Sequence, residues 1–300
     1  MTILEIKNLK KQFGSKTVLD GLTLSVPEHS IFGFIGRNGA GKTTAMKAIL
    51  GLIKADEGEI YVLGERVTFG QTATNRYVGY LPDVPNFYPF MTPYEYLKLC
   101  GESCNMKRED IQTRADELLV LVGLDNDKNR RIKGFSRGMK QRLGIAQALF
   151  SRPKLLICDE PTSALDPMGR KEILDILLKA KEETTILFST HILADVERIC
   201  TDVALLDGGK IAMQGTVDDL KQSHSGDEFS VEIADNDDRI RVMNAFYDSR
   251  ISDSGALIFS GGEEEIFSVI EFMHKHKIPF RKIERTETSI ESLFLEVIGK

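Results

Sequence analysis

At 300 residues the chain is about two domains long and can bury a sizeable core. Apolar residues make up 42% and charged residues 28%, ordinary soluble usage that excludes disordered, collagen-like and coiled-coil chains. The net charge of −6 is concentrated late in the chain: residues 227–300 hold 9 basic and 16 acidic side chains, and neither part has the basic excess of a nucleic-acid binder or a polybasic lipid anchor.

Met1-Thr2-Ile3-Leu4-Glu5-Ile6-Lys7 lacks the positively charged start and long apolar run of a secretory signal, so none is expected. No stretch approaches the roughly 18 uninterrupted apolar residues that span a bilayer, so a membrane role is expected to pass through another chain. Leu4–Leu9 alternates as a strand, and Val18–Val26 follows after a turn at Gly14-Ser15. Ile31–Ile35 is almost wholly apolar, the pattern of a strand buried on both faces. A glycine-rich turn leads from it into a helix over Thr44–Leu50, closed by Gly51. Between Thr92 and Gly123 the pattern is helical, with Ile111, Ala115, Leu118, Leu119 and Val122 on one face. Leu155–Cys158, Thr185–Ser189 and Val203–Leu206 read as further buried strands, and their alternation with helices predicts a mainly parallel sheet.

A seam falls at Gln222–Asp227. Beyond it the rhythm restarts as strand (Phe229–Ile233), helix (Arg239–Phe246), strand (Ala256–Phe259), helix (Glu263–His274), strand (Phe280–Ile283) and helix (Ile290–Ile298). The last helix opens on a capping box, Thr288 with Glu291, and carries Ile290, Leu293, Phe294, Val297 and Ile298 as one stripe. The expected domains are residues 1–222, with a helical subdomain over about 92–150, and a small α/β domain over 227–300. Cys100, Cys104, Cys158 and Cys200 fit neither a zinc ribbon nor a disulfide framework and read as reduced cytosolic cysteines used as small apolar residues. His29, His224, His274 and His276 read as surface or packing residues.

Gly36-Arg37-Asn38-Gly39-Ala40-Gly41-Lys42-Thr43 fits the phosphate-loop pattern at every fixed position. A triphosphate packs several negative charges into a small volume, so binding it takes many donors close together with no side chains in the way. Glycines let the loop curl with its N–H groups inward, and the following helix adds its positive end. The candidate contacts are Gly36, Asn38, Gly39, Ala40, Gly41, Lys42, Thr43 and Thr44, with Lys42 on the β- and γ-phosphates and the Thr43 hydroxyl on Mg²⁺. The apolar run Leu155–Cys158 ends in Asp159 and Glu160, and Pro161 then fixes a turn. Two adjacent acids at such a strand end suggest divided labour, Asp159 toward Mg²⁺ and Glu160 toward the attacking water.

Three further segments are Gly134-Phe135-Ser136-Arg137-Gly138-Met139, Ser163-Ala164-Leu165-Asp166 and Ser189-Thr190-His191. With the phosphate loop and the paired acids they resemble, in kind and order, the motifs of the ATPase subunit of ATP-binding-cassette (ABC) transporters, over about residues 3–220. The resemblance implies an α/β P-loop NTPase of ABC type, with a parallel core sheet, an antiparallel β subdomain and a helical subdomain. It implies ATP and Mg²⁺ as cofactors and a head-to-tail dimer with a second copy or a paralogue. Each ATP then lies between one phosphate loop and the partner's Ser136 and Gly138, with Glu160 as general base. His191 falls on the γ-phosphate, Asp166 on the seam between sites, and Phe13 on the adenine.

Three positions depart from the family pattern. Arg137 and Met139 interrupt the signature, while Ser136 and Gly138 remain. Asp83, after Val78-Gly79-Tyr80-Leu81-Pro82, stands where the family has a metal-linked glutamine, and is expected as a third metal-site residue. The aromatic and proline-rich Val84–Met91 is the expected docking surface for a membrane-spanning permease subunit. Arg137, Asp83 and the tail from Thr286 together resemble bacterial exporters of bacitracin, lantibiotics or other drugs. The implied function is an ATPase that powers export of a peptide antibiotic, drug or similar amphipathic compound. It is expected in the cytoplasm, peripheral on the inner face of the membrane, with no nucleic acid. The last domain reads equally as a regulatory or dimerising module or as a stabilising cap. The alternative, a soluble ABC ATPase of translation or DNA maintenance, usually carries two cassettes or a long coiled coil. A non-hydrolysing regulator is expected to lack Glu160 or His191; both are present.

Overall fold

A computed structural model describes the chain except residues 72, 225–227, 253–254, 286–289 and 299–300. It divides into two compact units, Met1–Val217 and Asp218–Lys300.

In the first unit, β1 (Thr2–Phe13) and β2 (Lys16–Pro27) form an antiparallel hairpin, and β3 (Ile31–Ile35) is buried along its whole length. The helix after it, α1 (Lys42–Ile49), starts two residues before the sequence-based expectation because the loop glycine Gly41 serves as its N-cap. Then come β4 (Glu57–Val62), β5 (Glu65–Arg66) and β6 (Val78–Leu81), followed by α2 (Pro93–Ser103), α3 (Arg108–Leu121) and α4 (Arg137–Leu149). The unit is completed by β7 (Leu155–Asp159), α5 (Pro167–Ala180), β8 (Thr185–Thr190), α6 (Leu193–Ile199), β9 (Asp202–Asp207) and β10 (Lys210–Thr216). One sheet has four strands in the order β2-β1-β4-β5, all antiparallel. The other has six in the order β10-β9-β3-β8-β7-β6, parallel except for β10.

The two sheets share a core. Ala45, Met46 and Ile49 of α1 are buried in one cluster with Leu4 and Ile6 of the antiparallel sheet and Phe32, Leu155 and Leu187 of the parallel one. Packing α1 into this shared core fixes where the phosphate loop stands. The helical stretch is made of two helices: a capping box of Thr92 and Glu95 starts α2, and Asn105, at φ 55, turns the chain before α3. Ile111, Ala115, Leu118 and Leu119 of α3 are buried, as their spacing predicts. The Tyr96 hydroxyl donates to Gln147 Oε1 at 3.1 Å, and Arg114 to the Leu149 carbonyl at 3.0 Å, tying α2 and α3 to α4.

Val78–Leu81, read from the sequence only as the run preceding Asp83, is the edge strand β6, and α4 lies directly on it. At Gly79 a Cβ would run into the Ala148 carbonyl, and at Gly144 one would stand 2.5 Å from Leu81 Cδ1 and 3.2 Å from Pro85 Cβ. Burial holds Cys158 and Cys200 far above the usual thiol range and Cys100 at about 11, so these three are packing groups and not thiolate nucleophiles.

The helix α7 (Val217–His224) leads into the second unit. There β11 (Glu228–Glu232), α8 (Asn236–Ala245), β12 (Arg250–Ile251), β13 (Leu257–Ser260), α9 (Glu263–Lys275), β14 (Lys282–Arg285) and α10 (Ile290–Ile298) follow in order. The four strands pair antiparallel in the order β12-β13-β11-β14, a split βαβ arrangement. Phe229, Val231, Leu257 and Phe259 meet Val242 of α8 and Val269 and Met273 of α9 in its core. α8 starts three residues earlier than periodicity predicts because Asp235 caps the N–H groups of Asp237 and Asp238 at 2.9 and 3.0 Å. β14 begins two residues later than expected: its pairing with β11 starts at Glu232 and Lys282, just after the Arg281 N–H donates to the Glu232 carbonyl at 2.8 Å. The expected cap Thr288 and part of the expected seam (225–227) lie outside the described residues. Among the described residues no helix is long and apolar enough to cross a membrane.

The contact of α4 with β6 yields a stability test. Gly79→Ala forces the Ala148 carbonyl away and costs roughly 1–3 kcal/mol, read as a lower urea midpoint at unchanged slope. An unchanged midpoint would show that the helix is not seated on the strand in this way.

Candidate functional site

Parallel pairing brings the carboxyl ends of three strands into line. Ile35 of β3 pairs with Thr190 of β8, and Asp159 of β7 pairs with Ser189 of β8, so the loops after these strands leave the sheet side by side. From β3 the chain turns at once at Gly36, where a Cβ would stand 2.7 Å from the Leu206 carbonyl. Gly41 closes the loop at φ 112, against Val18 and Leu19, a conformation and a spacing that only glycine tolerates. The α1 N-terminus has no side-chain cap. Its first-turn N–H groups are therefore free for an outside acceptor.

Lys42 is only 6% exposed. Its ammonium donates to the Gly36 carbonyl at 2.6 Å and lies 3.1 Å from Glu160 Oε1. The other oxygen, Glu160 Oε2, is 2.9 Å from His191 Nδ1. One carboxylate thus joins the phosphate loop to the residue after β8. Its backbone sits at φ 49, a left-handed conformation that costs a non-glycine residue on the order of 1 kcal/mol or more. The neighbouring Asp159 is buried, and Ser189 organises both acids: its hydroxyl donates to Asp159 Oδ1 at 2.7 Å and accepts the Glu160 N–H at 3.0 Å. Burial, with Asp159 nearby, pushes the Tyr80 phenol of β6 up to about 12, so it stays neutral beside these charges.

Around this cluster the expected residues take distinct places. Ser136 caps α4, accepting the Met139 N–H at 3.2 Å, and Asp166 caps α5, accepting the Gly169 N–H at 3.1 Å. Phe13 is half-exposed with the Lys11 ammonium 5.2 Å from its ring centre. Asn38, Gly39 and Thr43 are exposed along the loop, Ala40 and Thr44 are partly covered, and the Ala40 N–H donates to the Arg37 carbonyl at 3.1 Å. Gly138 has open space at its Cα, the nearest atom to an added Cβ being Leu165 Cδ2 at 3.9 Å. Asp83 is engaged elsewhere: Ser163 donates its hydroxyl to Asp83 Oδ1 at 2.6 Å.

Three polar residues that sequence reasoning gave no role brace the site. Asp195 of α6, 2% exposed, accepts from the Thr162 hydroxyl and the Arg170 guanidinium, both at 2.7 Å. The segment after Asp83 exposes Val84, Tyr88 and Phe90 while Phe87 packs edge-on against Tyr96 at 5.0 Å.

The oxygen set suits magnesium held jointly with a substrate. Among the described residues no three His, Cys, Asp or Glu side chains form a metal cage of their own. The buried Asp159 carboxylate and the exposed Thr43 hydroxyl supply the hard oxygens that Mg²⁺ takes when phosphates complete its shell.

Comparison with known proteins agrees with this geometry. Residues 19–163 match the family model described as ABC transporter. The ABC transporter ATP-binding protein YxlF of Bacillus subtilis is 32% identical, covering 99% of this chain and 99% of that protein. The bacitracin transport ATP-binding protein BcrA of Bacillus licheniformis is 33% identical, covering 99% of this chain and 98% of that protein. A solved structure of the ATP-binding subunit of an ABC transporter superposes with a TM-score of 0.67 at 33% identity, covering 74% of this chain and 92% of that one. These similarities span nearly the whole chain, and the chain belongs to the ATP-binding subunits of ABC transporters, a family that hydrolyses ATP to power transport.

Proposed function

We propose that the chain is the Mg²⁺-dependent motor of a separate membrane-spanning permease, bound to it from the cytoplasmic face, and that the transporter exports a peptide antibiotic or similar amphipathic compound. The observation that carries the reading is the Glu160 carboxylate held between Lys42 and His191. The full-length similarity to a protein described as a bacitracin transport ATP-binding protein supports the cargo class.

In this reading the curled loop from Gly36 and the free end of α1 receive the β- and γ-phosphates, and Lys42 balances their charge. Thr43 and Asp159 hold Mg²⁺, which neutralises charge on the phosphate oxygens. Glu160 accepts a proton from the attacking water as the water oxygen bonds to the γ-phosphorus. The bond to the bridging oxygen breaks, and ADP leaves with that electron pair. His191 steadies the transferring group, and Asp159 is kept in place by Ser189. A second copy or a paralogue supplies Ser136, Gly138 and the α4 N-terminus across the nucleotide, with Asp166 at the seam and Phe13 on the adenine. The exposed Val84, Tyr88 and Phe90 receive the permease.

Lys42→Ala is expected to lower ATP turnover by about 10²-fold or more, in a phosphate-release assay. Turnover equal to wild type would overturn the site. Glu160→Gln keeps an acceptor but not the base, so turnover drops by roughly 10²–10⁴-fold while ATP stays bound. Size exclusion with ATP then shows a dimer; a monomer throughout counts against the shared site. Affinity capture from native membranes is expected to recover a multi-span protein, and its absence counts against the permease.

A further inference from the structure

Two of the departures from the family pattern, Asp83 and Arg137, lie far apart in sequence and meet in the structure. Asp83 follows the edge strand β6, and Arg137 is the first residue of α4. Ser163, in the loop after the paired acids, stands between them. Its hydroxyl donates to Asp83 Oδ1 at 2.6 Å across 80 residues of sequence, and the Arg137 guanidinium reaches Ser163 Oγ at 3.4 Å. The same guanidinium nitrogen is 3.6 Å from Asp83 Oδ1.

Both charged side chains are about half-exposed, and such an ion pair alone contributes little. The bridging hydroxyl changes its meaning, because it joins three segments and not two. The backbone on either side is also tight. Gly144 of α4 leaves no room against Leu81 before Asp83 or Pro85 after it. On the other side the Ser163 N–H donates to the Glu160 carbonyl at 3.1 Å, and Ala164 sits at φ 50. Asp83 therefore ties the root of the exposed aromatic segment to the signature helix and to the turn that carries Glu160.

We infer that Asp83 and Arg137 are one compensating pair and that Asp83 is a positioning residue: its carboxylate acts through Ser163 on the turn bearing Glu160, and not as a magnesium ligand. The inference rests on the catalytic site proposed above.

The test uses the full chain and measures kcat, the KM for ATP and the half-saturating Mg²⁺ concentration, with thermal melting to confirm folding. Asp83→Ala, Ser163→Ala and Arg137→Ala each lower kcat by about tenfold while KM and the Mg²⁺ requirement stay within about twofold of wild type. The Asp83→Ala, Arg137→Ala double variant is no worse than either single one. Asp83→Asn keeps an oxygen that accepts from Ser163 and retains most of kcat. The proposal is overturned if Asp83→Asn raises the Mg²⁺ requirement about tenfold, which marks a metal ligand. It is equally overturned if the single losses multiply in the double variant, or if kcat does not change in Asp83→Ala. Lys42→Ala run alongside separates the two levels, since turnover indifferent to Lys42 removes the site itself.

Discussion

One carboxylate holds the candidate site together. Glu160 reaches Lys42 with one oxygen and His191 with the other, so the segments that follow three strands answer to a single side chain. That is possible only because β3, β8 and β7 are parallel neighbours in matched register. A slip of one residue in either pairing would turn Asp159 or Ser189 to the opposite face of the sheet. Both strands are buried along their whole length, on both faces, and leave no such slip open, since every side chain is already packed. The chemistry of the site is in this sense a consequence of core packing beneath it.

The same logic applies at the sheet edge. β6 has an α-helix resting against its backbone because both elements carry glycine where they touch, Gly79 on the strand and Gly144 on the helix. Close approach of backbones leaves few ways for α4 to shift alone. The helix N-terminus, capped by Ser136, is thereby positioned by contacts far along its own length. The aromatic segment that follows β6 is anchored through Pro85 and Phe87 and presents its remaining apolar side chains outward.

Much of this was legible in the sequence where a short motif follows a buried strand. The phosphate loop, the paired acids and His191 each sit directly after an apolar run, so strand and motif identify one another. Most of the second unit was legible from periodicity: Asp235 caps α8 earlier than the pattern predicts, and the two-residue strand β12 is too short to show any alternation. Legibility failed for partnerships. Nothing in a linear reading connects Asp83 to Ser163 across 80 residues, or assigns Asp195 to Thr162 and Arg170. The strand β6 was obscured because it is only four residues long, and one of them is glycine. The bond from Ser189 to Asp159 is equally silent in the sequence, since strand-end serines carry no distinctive spacing.

Asp195 has a consequence for how the molecule is able to deform. Its carboxylate is sealed from water and takes one bond from the turn following Glu160 and another from α5. Parting either contact leaves a sealed negative charge short of a donor, a penalty of several kcal/mol. A displacement of the turn after Glu160 therefore cannot leave α5 and α6 behind without incurring that penalty.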